Sequence, residues 1–301
     1  GDSGGDAGGF SPLPSWGGVM PLLGSYGVYS LSQDIKLGLS LNSYVGGSLD
    51  YDGEWAGRYY AQRADLLTLN LNPSIAYRLN SWLSVGAGFS VMYAKMVQKV
   101  AINNAFEDLP DGRLIVRDST VGYGGNAGLL IELSERTRLG VTYRSQVDLD
   151  FEDVAQIDGA GPVLRAALNL RDSKLDLGMT IPQAVMVSGY HELNDKLAIM
   201  ANVGWQNWEQ FGKVDVEVHS QDTQDLTVNT GYDDTWHAAI GAQFRLIERW
   251  VLSTGFAYDS SAQTQFNRTV ATPMDEQLRF ATGLQYEWTD DVTLGLPYEY
   301  V

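Results

Sequence analysis

Alternation with a period of two governs this chain. In residues 67–79 the odd positions carry Leu67, Leu69, Leu71, Pro73, Ile75, Tyr77 and Leu79, while the even positions carry Thr68, Asn70, Asn72, Ser74, Ala76 and Arg78. Beyond Asn80, Ser81 and Trp82 the pattern resumes. Leu83, Val85, Ala87, Phe89, Val91 and Tyr93 now stand against Ser84, Gly86, Gly88, Ser90, Met92 and Ala94. A pleated strand sends successive side chains to opposite faces, so each such segment has one apolar face and one small or polar face. Twelve segments of this kind follow one another, near residues 20–31, 35–45, 66–79, 83–102, 116–133, 138–154, 175–193, 197–218, 232–247, 250–260, 277–288 and 291–301.

The connections sort into two kinds. Tight turns fall near residues 32–34, 80–82, 134–137, 194–196, 248–249 and 289–290, and longer links such as 103–115, 155–174 and 261–276 alternate with them. An antiparallel meander with all its tight turns at one end has this regularity, and so does a transmembrane β-barrel. The face composition favours the barrel. The second face is Gly, Ala, Ser, Asn and Gln, and Tyr77, Trp82, Trp250 and Trp288 end the apolar face on the tight-turn side, where an interfacial girdle belongs. Several segments reach 15–20 residues, longer than the usual soluble strand. Pro182 on a strand removes a ladder hydrogen bond and predicts a local distortion.

Composition narrows the function classes. With 20 basic against 37 acidic side chains, and a net charge of −17, the chain lacks the clustered cations that a nucleic-acid partner requires. The absence of cysteine removes disulfides, thiol nucleophiles and cysteine-held metals, and we expect no cofactor and no metal. No run approaches the about 20 apolar residues of a spanning helix. Residues 1–19, opening on a Gly/Asp/Ser tract, read as a flexible segment or loop remnant, and residues 20–301 as the barrel. The chain begins at Gly1 without a signal-like stretch and stops at Val301 inside an alternating pattern, which favours a fragment.

Several ordered stretches resemble one family. Asn72-Pro73-Ser74-Ile75-Ala76-Tyr77-Arg78-Leu79-Asn80 is followed by Leu83–Phe89 and then by Tyr143-Arg144-Ser145. Ile181-Pro182, Val187-Ser188-Gly189-Tyr190, Trp205-Gln206-Asn207-Trp208 with Phe211, Asp259-Ser260 and Asn267-Arg268 complete the set. Together they are similar to the outer-membrane long-chain fatty-acid transporters, the FadL/TodX family. The resemblance covers residues 20–301 and implies an all-β, antiparallel transmembrane barrel of fourteen strands with an N-terminal hatch. Twelve strands are in this chain, so the hatch, the first strand and the last strand are expected to be missing.

The resemblance further implies passive uptake of long-chain fatty acids, or similar hydrophobic small molecules, through the outer membrane of a Gram-negative bacterium. Lipid and lipopolysaccharide would surround a monomer. Asn42, Gly46 and Gly47 align with a kinked strand that opens the wall laterally, where paired glycines permit a bulge. Two long links would form an apolar groove, lined by Phe106, Leu109, Val163, Leu164, Ala167 and Leu168. The spacing of apolar residues in 162–170 is helical, with Pro162 at the start; a small helix packing its own loop explains it equally simply. Lys99 or Arg165 would meet a carboxylate, with Lys95 and Arg171 as further cations. Position 233 is Asp where the family has a basic residue, which keeps an aromatic-hydrocarbon or alkane transporter open as the alternative, beside a surface receptor or structural barrel.

Arg78, Glu132, Glu192, Arg245 and Glu287 fall on the small-residue face just before tight turns. They read as a brace of internal ion pairs in preference to a charged gate. No catalytic residues are assigned. Only His191, His219 and His237 exist, no hydrolase motif accompanies them, and Ser188 or Ser253 would be the weak nucleophile candidates of an unlikely outer-membrane lipase.

Overall fold

The computed structural model describes residues 24–51, 55–104, 109–152, 155–162, 174–211, 213–219, 224–268, 275–289 and 292–300. The elements begin with β1 (Gly24–Ser30), β2 (Ile35–Asn42), β3 (Gly46–Asp50), β4 (Arg63–Arg78), β5 (Leu83–Ile102) and β6 (Gly112–Ser134). They continue with β7 (Thr137–Arg144), β8 (Val147–Phe151), β9 (Ala155–Asp158), β10 (Lys174–Ile181), β11 (Ala184–Asn194) and β12 (Leu197–Gln206). A single turn of helix, α1 (Trp208–Phe211), precedes β13 (Lys213–His219) and β14 (Gln224–Asn229). The last strands are β15 (Thr235–Ile247), β16 (Trp250–Asp259), β17 (Gln277–Thr289) and β18 (Val292–Tyr300). None of the described helices is long and apolar enough to cross a membrane.

Twelve strands form one antiparallel path, β1-β2-β4-β5-β6-β7-β11-β12-β15-β16-β17-β18, with β3 and β9 attached to β4 and β6. Each expected segment supplies one strand of this wall, and the tight turns fall where the alternation broke. The side-chain rows are equally regular. On β15 the pairing puts Trp236, Ile240, Phe244 and Leu246 on one face and His237, Gly241, Gln243 and Arg245 on the other. The four apolar residues are all more than 40% exposed, as on the lipid-facing row of a membrane barrel. At roughly 3.4 Å per residue and a tilt near 40°, the run from Trp236 to Leu246 spans about 26 Å, matching the apolar band of such a barrel. Trp250, Tyr286 and Trp288 pack against one another at the tight-turn end of this face, with ring centroids 4.6 Å and 6.3 Å apart. The first strand departs from the rule. Its register sets Tyr26 and Val28 on the row of Ser40 and Gly38.

Three of the expected strands are not single strands. Segment 138–154 breaks at Ser145-Gln146, segment 175–193 at Pro182-Gln183, and segment 197–218 at Asn207 with α1 behind it. The lower halves stay in the wall as β7, β11 and β12. The upper halves, β8, β10 and β13, join β14 in a separate sheet of order β14-β13-β10-β8. Pro182, without an amide proton, ends the ladder between the two parts of its segment.

This second sheet packs onto the small-residue face of β4, β5 and β6, which run on past the bends. Val147, Leu149, Phe151 and Ile181 of the sheet meet Leu66, Met92, Ala94, Met96 and Val116 of the wall in one buried cluster. Burying each large side chain contributes about 2 kcal/mol. Close approach is possible because the wall is bare at two positions. A Cβ on Gly122 would stand 2.5 Å from the Val147 side chain and 2.6 Å from the Asp148 carbonyl oxygen, and one on Gly124 would stand 2.8 Å from Val147.

Candidate functional site

The bends lie at one level of the wall. Arg144 pairs with Ala184, Ala184 with Gln206 and Gln206 with Thr235, so four neighbouring wall strands end together at the long-link end. Three of the stretches that carry the family resemblance, Tyr143–Ser145, Ile181-Pro182 and Trp205–Phe211, lie here. Ser145 exchanges bonds with Gly125 of β6, its amide donating to the Gly125 carbonyl and its hydroxyl accepting from the Gly125 amide, both at 2.8 Å. Trp208 and Phe211 meet edge to face at 4.9 Å, and Phe211 stacks on Tyr232 at 6.2 Å. The Trp205 indole donates to Asp234 (3.0 Å), and the Trp208 indole to Gln206 (2.9 Å). Aromatic rings with their N–H groups satisfied make a stiff joint where β12 leaves the wall.

The register on β4 changes between β2 and β3. Asn42 pairs with Asn70 and Gly46 with Leu67, so three residues (Ser43, Tyr44, Val45) oppose two on β4. One extra residue is a bulge. Thr68 secures it, its hydroxyl accepting from the Val45 amide at 3.2 Å and donating to the Val45 carbonyl. Val45 is thereby driven into the buried cluster beneath the second sheet, and the Asn70 side chain donates to Asn42 at 3.3 Å. Asn42, Gly46 and Gly47 therefore flank one bulge, and both β2 and β3 stay paired with β4. The extra residue lies just ahead of the glycines.

The two links expected to act together touch. The buried Asn104 side chain donates to Pro110 O (2.6 Å) and Gly159 O (2.8 Å), and accepts from the Gly161 amide at 3.1 Å. Gly159, at φ 68°, takes the left-handed turn that brings this second link against Gly112. Arg58 and Tyr59 brace the same end through Asp111, the Arg58 guanidinium lying 2.7 Å from its carboxylate. That hydrogen bond holds the Asp111 carboxyl below its ordinary range. Leu109 stands exposed beside it. Lys99 shares a row with Lys95 and Tyr93 on β5, opposite the face of Met92 and Met96 that meets the second sheet. Phe106, Val163, Leu164, Arg165, Ala167, Leu168 and Arg171 lie outside the described residues.

The five charged residues near the tight turns share the inner row. Arg78 and Glu132 form an ion pair at 2.8 Å, and Glu192 accepts from the Tyr190 hydroxyl at 3.0 Å. A second charged array was not read from the sequence. His237, Asp259, Arg279 and Glu299 form a chain across β15 to β18, with contacts of 2.7, 2.6 and 3.6 Å. Pairing the inner rows of adjacent strands would have revealed it. The lipase candidates are apart: His237 is engaged with Asp259, His191 with Thr137 (2.8 Å), and no described bond joins Ser188 or Ser253 to a histidine.

Residues 18–301 match the family described as outer membrane protein transport protein (OMPP1/FadL/TodX). Outer membrane protein P1 of Haemophilus influenzae is 29% identical over 303 residues, covering 92% of this chain and 64% of its own length. The long-chain fatty acid transport protein of Escherichia coli O6:H1 is 28% identical over 304 residues, covering 91% of this chain and 68% of its own. The chain thus spans about two thirds of the length of the relatives it matches, or a little less. Among solved structures, a Pseudomonas aeruginosa FadL homologue superposes with a TM-score of 0.81 at 20% identity, over 91% of this chain and 68% of that one. The Ralstonia pickettii toluene transporter TbuX gives 0.68 at 20% identity, over 90% and 74%. These two likenesses speak to the fold, and they agree with the barrel wall. The family match spans nearly the whole chain: the protein belongs to the OMPP1/FadL/TodX family of outer-membrane proteins.

Proposed function

We propose that this chain forms the wall and inner sheet of a passive channel for long-chain fatty acids or comparably apolar molecules. A ligand first lies in a groove between links 103–115 and 155–174, against Phe106, Leu109, Val163, Leu164, Ala167 and Leu168, with Lys99 or Arg165 near its head. It then enters the barrel and leaves sideways at the bulge flanked by Asn42, Gly46 and Gly47. The single observation that carries the reading is the placement of Val45. This residue belongs both to the bulge and to the buried apolar cluster on the inner face, so the bulge borders apolar packing inside the barrel. The contact of the two links through Asn104 supports a shared groove. The family relation adds the class of cargo, since relatives bear the names of a long-chain fatty acid transport protein and a toluene transporter.

A binding measurement on the full-length protein in detergent tests the groove. Replacing Leu164 and Leu168 together with Asp should weaken binding of a long-chain ligand at least about tenfold, because each buried CH₂ contributes about 0.8 kcal/mol. The variant must keep its β circular dichroism. Undiminished binding in a folded double variant would rule out the groove, and binding of neither fatty acids nor hydrocarbons by the parent protein would remove the transport reading altogether.

A further inference from the structure

The inner face carries a cation at the bends for which the described residues supply no counter-charge. Arg144 ends β7 on the same row as Arg138 and Thr142, and its cross-strand neighbours are Asn126 and Ala184. The guanidinium carbon lies 4.1 Å from the centroid of the Tyr44 ring, which the bulge between β2 and β3 delivers. Tyr44 is its electrostatic partner among the described residues, and none of their carboxylates pairs with it. Its Nε is shut off from solvent and donates to nothing. A shielded guanidinium with an idle donor is costly, so the site is ready for an acceptor that the described residues do not supply.

What surrounds the arginine fits an anion. Asn126 donates to Asn72 (3.2 Å), Asn72 donates to Ser90 (3.0 Å), and Asn70 donates to Asn42, giving a neutral carboxamide belt on the same inner face. Asn70 Oδ1 is itself buried without a donor. On the other side of Arg144, three residues on, Val147 opens the apolar cluster that Val45 shares. Apolar surface, then a cation, then uncharged amides is the order in which an amphiphile with one anionic end would be held.

We propose that Arg144 is a specificity-determining residue of the channel, receiving a carboxylate at the bend while Tyr44 keeps its guanidinium plane in place. A planar fork matches a carboxylate bidentately, and the ring face offsets part of the cost of burial when no ligand is there. The site therefore selects ionised amphiphiles over esters and hydrocarbons. This assignment rests on the channel reading above and names its ligand class.

Isothermal titration calorimetry of the full-length protein in detergent, with palmitate and methyl palmitate as probes, tests it. The parent should bind palmitate at least about tenfold more tightly than the ester, as one charge-assisted hydrogen-bonded pair allows. Arg144→Gln should remove that difference and leave the ester within about twofold, while Arg144→Lys should keep part of the preference. Equal losses for acid and ester would make Arg144 a mere prop for Tyr44 and overturn the proposal. So would a parent protein that binds both alike, a result that stands even if Arg144→Gln does not fold. Binding of neither probe sinks the channel reading and this one together, whereas binding of both without dependence on Arg144 removes this one alone.

Discussion

In β7, Leu139 and Tyr143 face outward and are 37% and 42% exposed. A few residues further on the same odd row, Val147, Leu149 and Phe151 of β8 are fully buried. The same reversal separates Val187 in β11 from Ile181 in β10. The alternation runs unbroken through both bends, yet below them the apolar row meets lipid and above them it meets protein. Lipid asks only for apolar surface of any shape. The inner sheet needs a matched partner, which Met92, Met96, Val116 and the bare positions Gly122 and Gly124 provide.

The two environments should therefore answer differently to substitution. The largest effect is expected at Phe151→Ala, which opens a cavity in the buried cluster and should cost about 3–5 kcal/mol. Amide exchange in detergent should show β8 and β10 exposed while β7 and β11 hold their protection. Loss spread evenly over the wall would mean that the inner sheet is not a separate packing unit. Next comes Ile240→Arg near mid-span on the lipid face, with an expected cost of about 2–4 kcal/mol. Reversible denaturant unfolding in vesicles reads it, and an unchanged midpoint would place that face in water. Smallest is the glycine contrast. Gly122→Ala should cost about 1–3 kcal/mol by overpacking against β8. Gly128→Ala, whose added carbon would meet its nearest atom at 3.5 Å, should stay within about 0.5 kcal/mol. Equal costs at the two glycines would show that the sheet does not press on β6 at Gly122.

Much of the wall was legible because a period of two, read over 11 or more residues, fixes a strand, and Asn, Asp, Ser and Glu at the breaks fix its ends. The turn at Asn80 is an example. Its side chain accepts from the amides of Trp82 and Leu83 at 3.0 and 2.9 Å, the local bonding that makes Asn a turn former. Pro182 likewise carried its distortion in its own chemistry, whereas the bulge falls at Ser43–Val45, ahead of the Gly46-Gly47 pair. The bend at Ser145-Gln146 did not, since neither residue forbids an extended chain and the row parity is the same on both sides. The arginine site was beyond reach for another reason. Tyr44 and Arg144 stand a hundred positions apart, and only the bulge in one strand and the end of another bring them together.

By itself, then, the sequence determined which residues extend, where the chain reverses tightly and which side chains share a row, because these depend on neighbours one to four positions away. Tertiary structure alone decided what each apolar row faces. A strand's alternation is unchanged when the strand is moved from a membrane wall to a protein core. The choice rests on whether another surface of the right shape lies within reach. Here β6 supplies that surface at Gly122 and Gly124, and β8 and β10 fold onto the inner face, carrying β13 and β14 in their sheet, instead of extending the wall.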